Sequence, residues 1–299
     1  MKLEIAELRC SYGEKEVLKG VGMTAGPCIT ALIGPNAAGK STLMKCIAGI
    51  LQSSGRMTLD GIDITDGRNR EVREMMSYLP QEAPDRTSLT VMEIVLLGRL
   101  DSLNWKVSEE DLSIAYGMLV ELGIEDLAVR PMNELSGGQQ QMIMIAQCLV
   151  RDPRVLLMDE PTNSLDLQKQ LEMFDLIRQV TDERKMTTLM VLHDINFAAR
   201  YADRVIVVSN GMVHSAGPPS EVINEAMIQE VYGVEATVHV GPDMVPHVHP
   251  LRSVRRTALK HRRAAREGRE ANAPVPDGKG AGSLISMPEL VQDAASEHK

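Results

Sequence analysis

Residues 34–41, with the sequence GPNAAGKS, constrain this chain more than any other segment. They match the pattern GxxxxGK[ST], whose glycines let the backbone curl until its N–H groups surround an anion. The strand-like run CITALI precedes the loop and a helix-like run follows it, as the pattern requires. In such a loop Lys40 reaches the β- and γ-phosphates, and the Ser41 hydroxyl is offered to Mg²⁺. The predicted nucleoside triphosphate contacts are Gly34, Pro35, Asn36, Ala37, Ala38, Gly39, Lys40, Ser41 and Thr42.

A second pattern, VLLMDE at residues 155–160, supplies carboxylates to the same site. A continuous apolar run is typical of a buried parallel strand, and an acid at its end lies beside the phosphate loop. We expect Asp159 to hold Mg²⁺, as in other enzymes with this loop. Glu160 is the candidate that polarises the attacking water, and Lys40 the one that stabilises the transferred charge. The alternative for Glu160 is a surface carboxylate at a strand end.

The order of apolar patterns predicts an α/β fold around a mostly parallel sheet. Strand-like runs are LEIAEL, CITALI, VLLMD, TTLMVL, RVIVVS and MVHSAG. Helical spacing of apolar residues covers 40–50, 90–99, 108–122, 137–150, about 167–184 and about 195–201. Because residues 83–150 contain helix and loop patterns without a strand, they predict a helical insertion.

Charge and composition exclude some functional classes. The net charge of −9 argues against a dedicated nucleic-acid binder, for which a basic footprint is expected. No run of about 18 apolar residues occurs, and the start MKLEIAELRC resembles a strand more than a signal peptide. The cysteines lack CxxC spacing, so free thiols in a reducing cytosol are the simplest interpretation. They are Cys10, Cys28, Cys46 and Cys148.

From about residue 252 the composition changes to a basic run, followed by ANAPVPDGKGAG. The basic residues are Arg252, Arg255, Arg256, Lys260, Arg262, Arg263, Arg266 and Arg269. This stretch has too little apolar surface to form a core, so we expect residues 251–299 to be a solvated, flexible tail. A membrane-surface or RNA-binding role is the alternative.

A third string, LSGGQ at residues 135–139, stands about a hundred residues after the phosphate loop. With the phosphate loop before LSGGQ and VLLMDE after it, which is the family's order, the chain resembles the ATP-binding cassette (ABC) family, the ATPase subunits of ABC transporters. The resemblance covers about residues 1–250. It implies a P-loop NTPase (RecA-like) core with a mixed or parallel sheet, an N-terminal antiparallel β subdomain and an inserted helical subdomain at about 83–150. It also implies ATP hydrolysis coupled to transport, with ATP and Mg²⁺ bound.

Three single residues match functional positions of that family. Tyr12 matches the aromatic residue that stacks on adenine, Gln81 the glutamine that contacts Mg²⁺ and the water, and His193 the switch histidine on the γ-phosphate. Tyr12 follows the first strand, where a ring can stack on a flat base, although it could also be a half-buried strand residue. Gln81 has the alternative of a plain loop glutamine, and a lone histidine is usually structural. The implied Mg²⁺ ligands are Ser41, Gln81 and Asp159.

The resemblance implies that LSGGQ and a later loop act on a second copy. In the family, LSGGQ caps the γ-phosphate of the opposite subunit, and the loop at residues 164–166 crosses the dimer interface. Ser136 also precedes a predicted helix, so it can cap the helix N-terminus, where anions bind. The residues expected to bind ATP in trans are Ser136, Gly137, Gly138, Gln139 and Asp166, with Ser164 and Leu165 in the interface loop. The partner is a second copy of the chain or a related ATPase subunit.

The sequence departs from the family pattern at two places. Gln140, Gln141 and Met142 stand where the family often has arginine, which puts the fine tuning of the dimer interface in doubt. Ala37 replaces the more usual glycine of the phosphate loop. We expect its methyl group to be tolerated on the condition that the residue has a negative φ.

Further stretches resemble the iron-chelate importers, which carry ferric siderophores, haem or cobalamin. They are VMEIVLLGRL and the closing segment that contains GPPSEV and VYGVE. An importer ATPase for zinc or manganese and a soluble ATPase of iron–sulfur cluster assembly remain the alternatives. The resemblance implies integral membrane permease subunits, an extracytoplasmic binding protein that acts indirectly, and no nucleic acid. It places the chain at the cytoplasmic face of the cell membrane as a peripheral subunit.

Two groups of residues outside the nucleotide site are further candidates for binding. Apolar residues near the glutamine loop that could receive a permease helix are Leu89, Met92, Leu103 and Trp105, although a lone Trp is more often part of a core. His247 and His249 in PHVHP suggest a metal site. Because no third ligand is recognisable nearby, a plain strand or turn is the alternative.

Overall fold

The computed structural model describes residues 1–65, 70–81, 87–100, 107–162 and 165–254. Residues 255–299, together with Leu103, Trp105 and Ser164, lie outside the described residues, so the expectations for them stay predictions. The strands are β1 (Leu3–Tyr12), β2 (Lys15–Ala25), β3 (Ile29–Ile33), β4 (Ser54–Leu59), β5 (Ile62–Asp63), β6 (Met76–Leu79), β7 (Val155–Asp159), β8 (Thr187–Val191), β9 (Arg204–Ser209), β10 (Met212–Gly217), β11 (Val234–Val240) and β12 (Pro246–Ser253). The helices are α1 (Lys40–Ile47), α2 (Arg70–Glu74), α3 (Val91–Leu97), α4 (Glu109–Glu121), α5 (Gly137–Leu149), α6 (Leu167–Arg184), α7 (Ile195–Tyr201), α8 (Pro219–Val222) and α9 (Glu225–Met227).

The larger sheet contains six strands in the order β10-β9-β3-β8-β7-β6. Neighbours from β9 to β6 run parallel, whereas β10 pairs antiparallel with β9. Every residue of β3, β7 and β8 is buried, as is usual in a parallel sheet covered on both faces. This burial explains their largely apolar sequences and confirms the predicted α/β fold.

The N-terminal part of the chain forms a second, antiparallel sheet in the order β2-β1-β4-β5. Exposed residues interrupt the buried ones along β1 and β2, so one face of this sheet is solvated. Leu3, Leu8 and Leu18 from the buried face belong to the same apolar cluster as Leu43 and Met44 of α1. The predicted antiparallel β subdomain is therefore confirmed, and it rests on the helix that follows the phosphate loop.

The helical insertion contains α3, α4 and α5 between β6 and β7. Each helix begins with a capping box, in which the N-cap residue and the residue three positions later accept from each other's backbone N–H groups. The paired residues are Thr90 with Glu93, Ser108 with Asp111, and Ser136 with Gln139. The expected helices at 90–99, 108–122 and 137–150 are confirmed with slightly shorter bounds, and Ser136 is the N-cap that the sequence predicts.

Strands β11 and β12, with the turn that joins them, form an antiparallel pair that we call the C-terminal hairpin. Asn196, in the first turn of α7, clamps this hairpin through both backbone groups of Val248. Its side chain donates to the Val248 carbonyl at 3.3 Å and accepts from the Val248 N–H at 2.8 Å. Because β12 extends to Ser253, residues 251–253, which the sequence assigns to a flexible tail, belong to a strand.

Two further expectations concern the membrane and the thiols. Within the described ranges, no helix combines the length and the apolar character needed to cross a membrane. The four cysteines are free thiols, as predicted, and Cys28 is the most accessible of them because the other three are buried.

Candidate nucleotide-binding and catalytic site

The carboxyl ends of three neighbouring parallel strands gather the predicted catalytic residues. β3 leads into the phosphate loop, β7 ends at Asp159, and His193 follows shortly after β8. Because β3, β8 and β7 are adjacent in the sheet, their ends meet at one edge. The side chains that line this region together are Lys40, Ser41, Gln81, Glu160 and His193.

Lys40 is the first residue of α1, and its side chain turns back into the loop. Its Nζ donates to the carbonyl oxygens of Gly34 at 2.8 Å and Pro35 at 3.0 Å. Burial lowers the pKa of Lys40, while the nearby carboxylates of Glu160 and Asp159 raise it. The ammonium group is thus held inside the loop, where it can attract a triphosphate.

Gly34 sets how closely the phosphate loop approaches the sheet. Its φ is 146°, and a Cβ atom built there would lie 2.0 Å from the carbonyl oxygen of Val208 in β9. No side chain fits in that space, so any other residue would push the loop away from β9. The first glycine of the pattern is therefore required by close backbone contact as well as by its left-handed conformation.

Ala37 has a φ of 62°, so the condition for tolerating its methyl group, a negative φ, is not met. This left-handed conformation costs about 1–2 kcal/mol for a residue with a Cβ atom. The side chain is exposed, so the cost arises in the backbone and does not come from crowding of the methyl group. Glycine is usual at this position because it adopts a positive φ without strain, and the alanine here adopts the same positive φ.

Asp159 is a buried carboxylate, 1% exposed, at the end of β7. Its Oδ1 accepts from the Ser41 hydroxyl at 3.0 Å and its Oδ2 from the Tyr78 hydroxyl at 3.4 Å. Burial raises the pKa of Asp159, and the Ser41 hydrogen bond opposes that rise. A hydroxyl and a carboxylate oxygen side by side are the hard donors that Mg²⁺ prefers, and a divalent cation would offset the burial of the charge. These two residues therefore fit the predicted metal.

Glu160 is held between two side chains at the mouth of the same cavity. Its φ of 53° is a strained, left-handed conformation for a glutamate, and such strain is frequent at functional sites. Its Oε2 accepts from the Gln81 Nε2 at 2.7 Å, and its Oε1 contacts the His193 Nε2. The Gln81 amide nitrogen thus contacts Glu160 in this structure, and its predicted contact with Mg²⁺ stays a prediction.

A cavity of about 580 Å³ opens over the phosphate loop. Sequence reasoning missed part of its lining, which comes from β2 and from the turn between β9 and β10: Lys15, Glu16, Val17, Lys19, Asn210 and Gly211. This turn connects β2 to the phosphate loop. The Gly211 carbonyl accepts from the Lys19 N–H at 2.8 Å, and the Gly211 N–H donates to the Ala38 carbonyl at 3.1 Å. Asn-Gly is recognisable as a turn, but its place in the site follows from the pairing of β9 with β3 and from these two hydrogen bonds.

Tyr12, the predicted adenine-stacking residue, ends β1 and is 49% exposed. Its cross-strand partner Lys15 lines the cavity, whereas Tyr12 does not belong to the lining in this structure. An exposed ring beside the cavity remains available to a base, so its stacking role stays a prediction.

A separate cavity of about 550 Å³ lies at the LSGGQ string. The residues expected to act in trans line it together: Ser136, Gly137, Gly138, Gln139 and Asp166. Leu165 lines it as well, and Asp166 caps α6 by accepting from the Lys169 N–H at 2.9 Å. Among the described residues, none lines both cavities. The predicted trans residues are thus collected in one place that is distinct from the phosphate loop of the same chain.

Gln140, one of the residues found where the family often has arginine, fixes the loop that precedes LSGGQ. Its Nε2 donates to the carbonyl oxygens of Met132 at 3.0 Å and Leu135 at 3.2 Å. Met142, another of these residues, lines the LSGGQ cavity. The Gln140 amide therefore holds the loop that precedes LSGGQ, which is a structural role for a residue that departs from the family pattern.

The leucines exposed near Gln81 are not the apolar residues expected to receive a permease helix. Leu89 and Met92 are partly buried and pack against the larger apolar core. Leu97 and Leu100 are more exposed, at 37% and 59%, and border a cleft of about 330 Å³. These two leucines are better placed than Leu89 and Met92 to receive another protein.

Similarity to known proteins accords with this geometry. Residues 21–163 match the sequence profile of the ABC transporter family. The chain is 38% identical over 240 residues to an uncharacterised ABC transporter ATP-binding protein of Methanocaldococcus jannaschii, with 80% of this chain and 94% of that protein covered. It is 38% identical over 217 residues to the achromobactin transport ATP-binding protein of Dickeya dadantii, covering 72% and 81%. It is 34% identical over 244 residues to the iron(3+)-hydroxamate import ATP-binding protein of Bacillus subtilis, covering 80% and 91%.

Solved structures with a similar fold are ABC cassettes. An inward-facing ABC transporter of the metal-chelate type superposes with a TM-score of 0.72 at 23% identity, covering 84% of this chain and 97% of that one, a likeness that concerns the fold. A bacterial ABC transporter cassette solved as a dimer superposes with a TM-score of 0.66 at 28% identity, covering 73% and 98%.

Proposed function

The chain belongs to the ABC transporter family and is an ATP hydrolase of that family, and we propose that it powers the import of a ferric chelate. One observation carries the proposed chemistry. Glu160 is oriented by Gln81 and His193 at the cavity that also contains the phosphate loop. The geometry suits the transfer of a phosphoryl group to water, in which positioning and electrostatics do most of the work.

Each residue of the cavity has a distinct task in this proposal. The loop N–H groups and Lys40 bind the β- and γ-phosphates and spread the negative charge that moves toward the leaving group. Glu160 accepts a hydrogen bond from the attacking water and orients it, and His193 keeps Glu160 in place while facing the γ-phosphate. Ser41 and Asp159 would hold Mg²⁺, which neutralises phosphate charge when it is bound.

The catalytic cavity is half of a complete site in this proposal. The residues from Ser136 to Gln139 and Asp166 line a cavity that shares none of its described lining residues with the cavity over the phosphate loop. A second copy arranged head to tail would present its Ser136 and the N-terminus of its α5 to the γ-phosphate, because a helix N-terminus attracts anions. The closed pair would be favoured by ATP and would reopen after hydrolysis, since ADP lacks these contacts.

The names of the relatives support the proposed cargo. Those named for achromobactin transport and for iron(3+)-hydroxamate import cover most of this chain at 38% and 34% identity. We expect the same class of cargo here, with selectivity residing in permease subunits and an extracytoplasmic binding protein. The chain would dock on the cytoplasmic face of the permease through the surface at Leu97 and Leu100, beside the strand that leads to Gln81.

Uptake of a radiolabelled ferric hydroxamate by a strain that lacks this chain tests the proposed cargo. Wild-type chain should restore uptake, whereas the Glu160→Gln variant should not, because it cannot orient the water. Uptake of Zn²⁺ and Mn²⁺ should be unchanged in the deletion strain. Normal iron-chelate uptake together with a loss of Zn²⁺ or Mn²⁺ uptake, or of iron–sulfur enzyme activity, would contradict the proposal and favour the corresponding alternative.

A further inference from the structure

Three histidines lie on one face of the C-terminal hairpin. His247 and His249 are two positions apart on β12, so their side chains point to the same side of the strand. His239 on β11 is the cross-strand partner of His247, and Thr237 is the partner of His249. Directly opposed residues of an antiparallel pair share a face, so His239 joins the other two. The neighbouring strand thus supplies the third histidine that the local sequence PHVHP lacks.

The hydrogen-bond pattern of the hairpin fixes the spacing of these histidines. Both backbone groups of Val248 form hydrogen bonds with Asn196, and the Val238 N–H donates to Glu225. The backbone groups of the pair Val238 and Val248 therefore point away from the partner strand, so this pair is not hydrogen-bonded across the hairpin. His239 and His247 therefore form a hydrogen-bonded pair, whose Cα atoms are about 5.5 Å apart. His249 follows His247 at about 6.6 Å along the same strand. Imidazole rings at these separations can reach one ion at Zn–N distances of about 2.0–2.1 Å.

The opposite face of the hairpin is anchored, which leaves the histidine face free. Ala236 and Pro246 are buried, and Val248 packs against the larger apolar core. His239, His247 and His249 are all exposed. An anchored sheet with exposed imidazoles restricts the backbone while letting each ring turn about its side-chain bonds.

The rings are not gathered on one point in this structure. Among the described residues, no group of three or more His, Cys, Asp or Glu side chains is close enough to hold a metal ion. Exposed side chains exchange rotamers freely, and the anchored backbone already has suitable spacing, so only ring rotation is needed. The other two histidines in the described part of the chain contact carboxylates: His193 contacts Glu160, and the His214 Nε2 lies 3.4 Å from Oε2 of Glu230.

We propose that the C-terminal hairpin binds one divalent transition-metal ion through His239, His247 and His249. Neutral imidazole suits Zn²⁺ and its neighbours Ni²⁺ and Cu²⁺, and three such ligands with one water give the tetrahedral geometry of zinc. Magnesium prefers oxygen ligands and is excluded by the donor set. None of the three histidines lines the nucleotide cavity, so this site is separate from the one that binds Mg²⁺ and ATP.

Calorimetric titration of the full-length, nucleotide-free chain with ZnCl₂, after treatment with a chelator and without magnesium, tests the site. The wild type should bind Zn²⁺ with a stoichiometry of one ion per chain. His239→Gln and His247→Gln should each weaken this binding at least about tenfold, since each removes a ligand. His214→Gln is the matched control, because this residue lies outside the hairpin, and it should bind Zn²⁺ as the wild type does.

A second measurement separates loss of the site from loss of the fold. Amide hydrogen exchange in β11 and β12 should slow when Zn²⁺ is added to the wild type and should be unchanged by Zn²⁺ in the two hairpin variants. ATP hydrolysis with Mg²⁺ should be the same in all four chains, which shows that the variants fold. Equal Zn²⁺ affinity in the wild type and the hairpin variants would overturn the proposal. So would the absence of Zn²⁺ binding to the wild type, or one ion shared by two chains.

Discussion

Ala37 combines a Cβ atom with a left-handed backbone, so Ala37→Gly should relax the phosphate loop. Its φ of 62° costs about 1–2 kcal/mol, which glycine avoids at the expense of a more flexible unfolded chain. We expect a net stabilisation of up to about 1 kcal/mol, seen as a rise in Tm of about 2–4 °C in calorimetric melting. The matched control is Ala38→Gly, since Ala38 is buried in the same loop without a left-handed φ and should lower Tm. A lower Tm for both variants would show that the loop is not strained at Ala37.

Asp159→Asn should stabilise the nucleotide-free chain and abolish hydrolysis. Burial raises the pKa of the folded carboxyl above that of the unfolded chain, so the cost in stability grows as the pH rises from the unfolded to the folded pKa and is complete above it. The cost disappears in acid, where both folded and unfolded chains are protonated. Asparagine keeps the shape and accepts the Ser41 hydrogen bond without the charge. The Tm of the variant should therefore exceed that of the wild type at neutral pH, and the difference should shrink as the pH falls. A variant that melts below the wild type at neutral pH would contradict this account of the carboxylate.

At the scale of residues, the sequence patterns predicted which side chains lie together at the site but not the backbone conformation. Lys40, Ser41, Asp159, Glu160 and His193 were predicted from patterns that follow strands, because the ends of parallel strands meet. The φ of Ala37 could not be predicted, since it depends on how the loop closes against β9. The lining from β2 and from the Asn210–Gly211 turn likewise depends on contacts between distant segments, which no local pattern records. They are the pairing of β9 with β3 and the backbone hydrogen bonds of Gly211 with Lys19 and Ala38.

At the scale of elements, the capping box of α5 has two roles that can be separated. Ser136 caps the helix, and in the proposed pair it also contacts a phosphate of the second copy. Ser136→Ala should lower stability by about 1 kcal/mol and reduce ATP turnover at least about tenfold. Ser108→Ala removes the equivalent cap of α4, which lies outside both cavities, and should cost similar stability without loss of turnover. Thermal melts and phosphate-release assays on both variants check this. Equal ATP turnover by the Ser136→Ala and Ser108→Ala variants would show that Ser136 only caps its helix.

The elements differ in how far their own sequences predict them. The buried strands β3, β7 and β8 and the long helix α6 were predicted because burial on both faces or helical spacing leaves a clear apolar pattern. Strand β4 was not predicted, because its first three residues are exposed and it forms by pairing with β1. The C-terminal hairpin was also missed, since its half-exposed strands interleave valine with histidine and proline.

At the scale of the whole molecule, the described residues form two separate cavities, which the proposed pair would join into one site. The phosphate loop and Glu160 line one cavity, and LSGGQ lines another. In the proposed head-to-tail pair, the phosphate loop of each copy would face the LSGGQ residues of the other. The nucleotide should therefore control association, and hydrolysis should depend on the concentration of the chain.

The association state of Glu160→Gln with ATP tests this most directly. Glutamine preserves the shape of Glu160 but cannot polarise water, so ATP should bind and persist, and the closed pair should accumulate. Light scattering should then give twice the 32.8 kDa mass of one chain. Gly137→Glu in the same background is the matched control. Gly137 is the exposed first residue of α5, where a glutamate favours the helix but repels a phosphate, and this double variant should bind ATP as a monomer. A Glu160→Gln chain that binds ATP and remains monomeric would contradict the shared site.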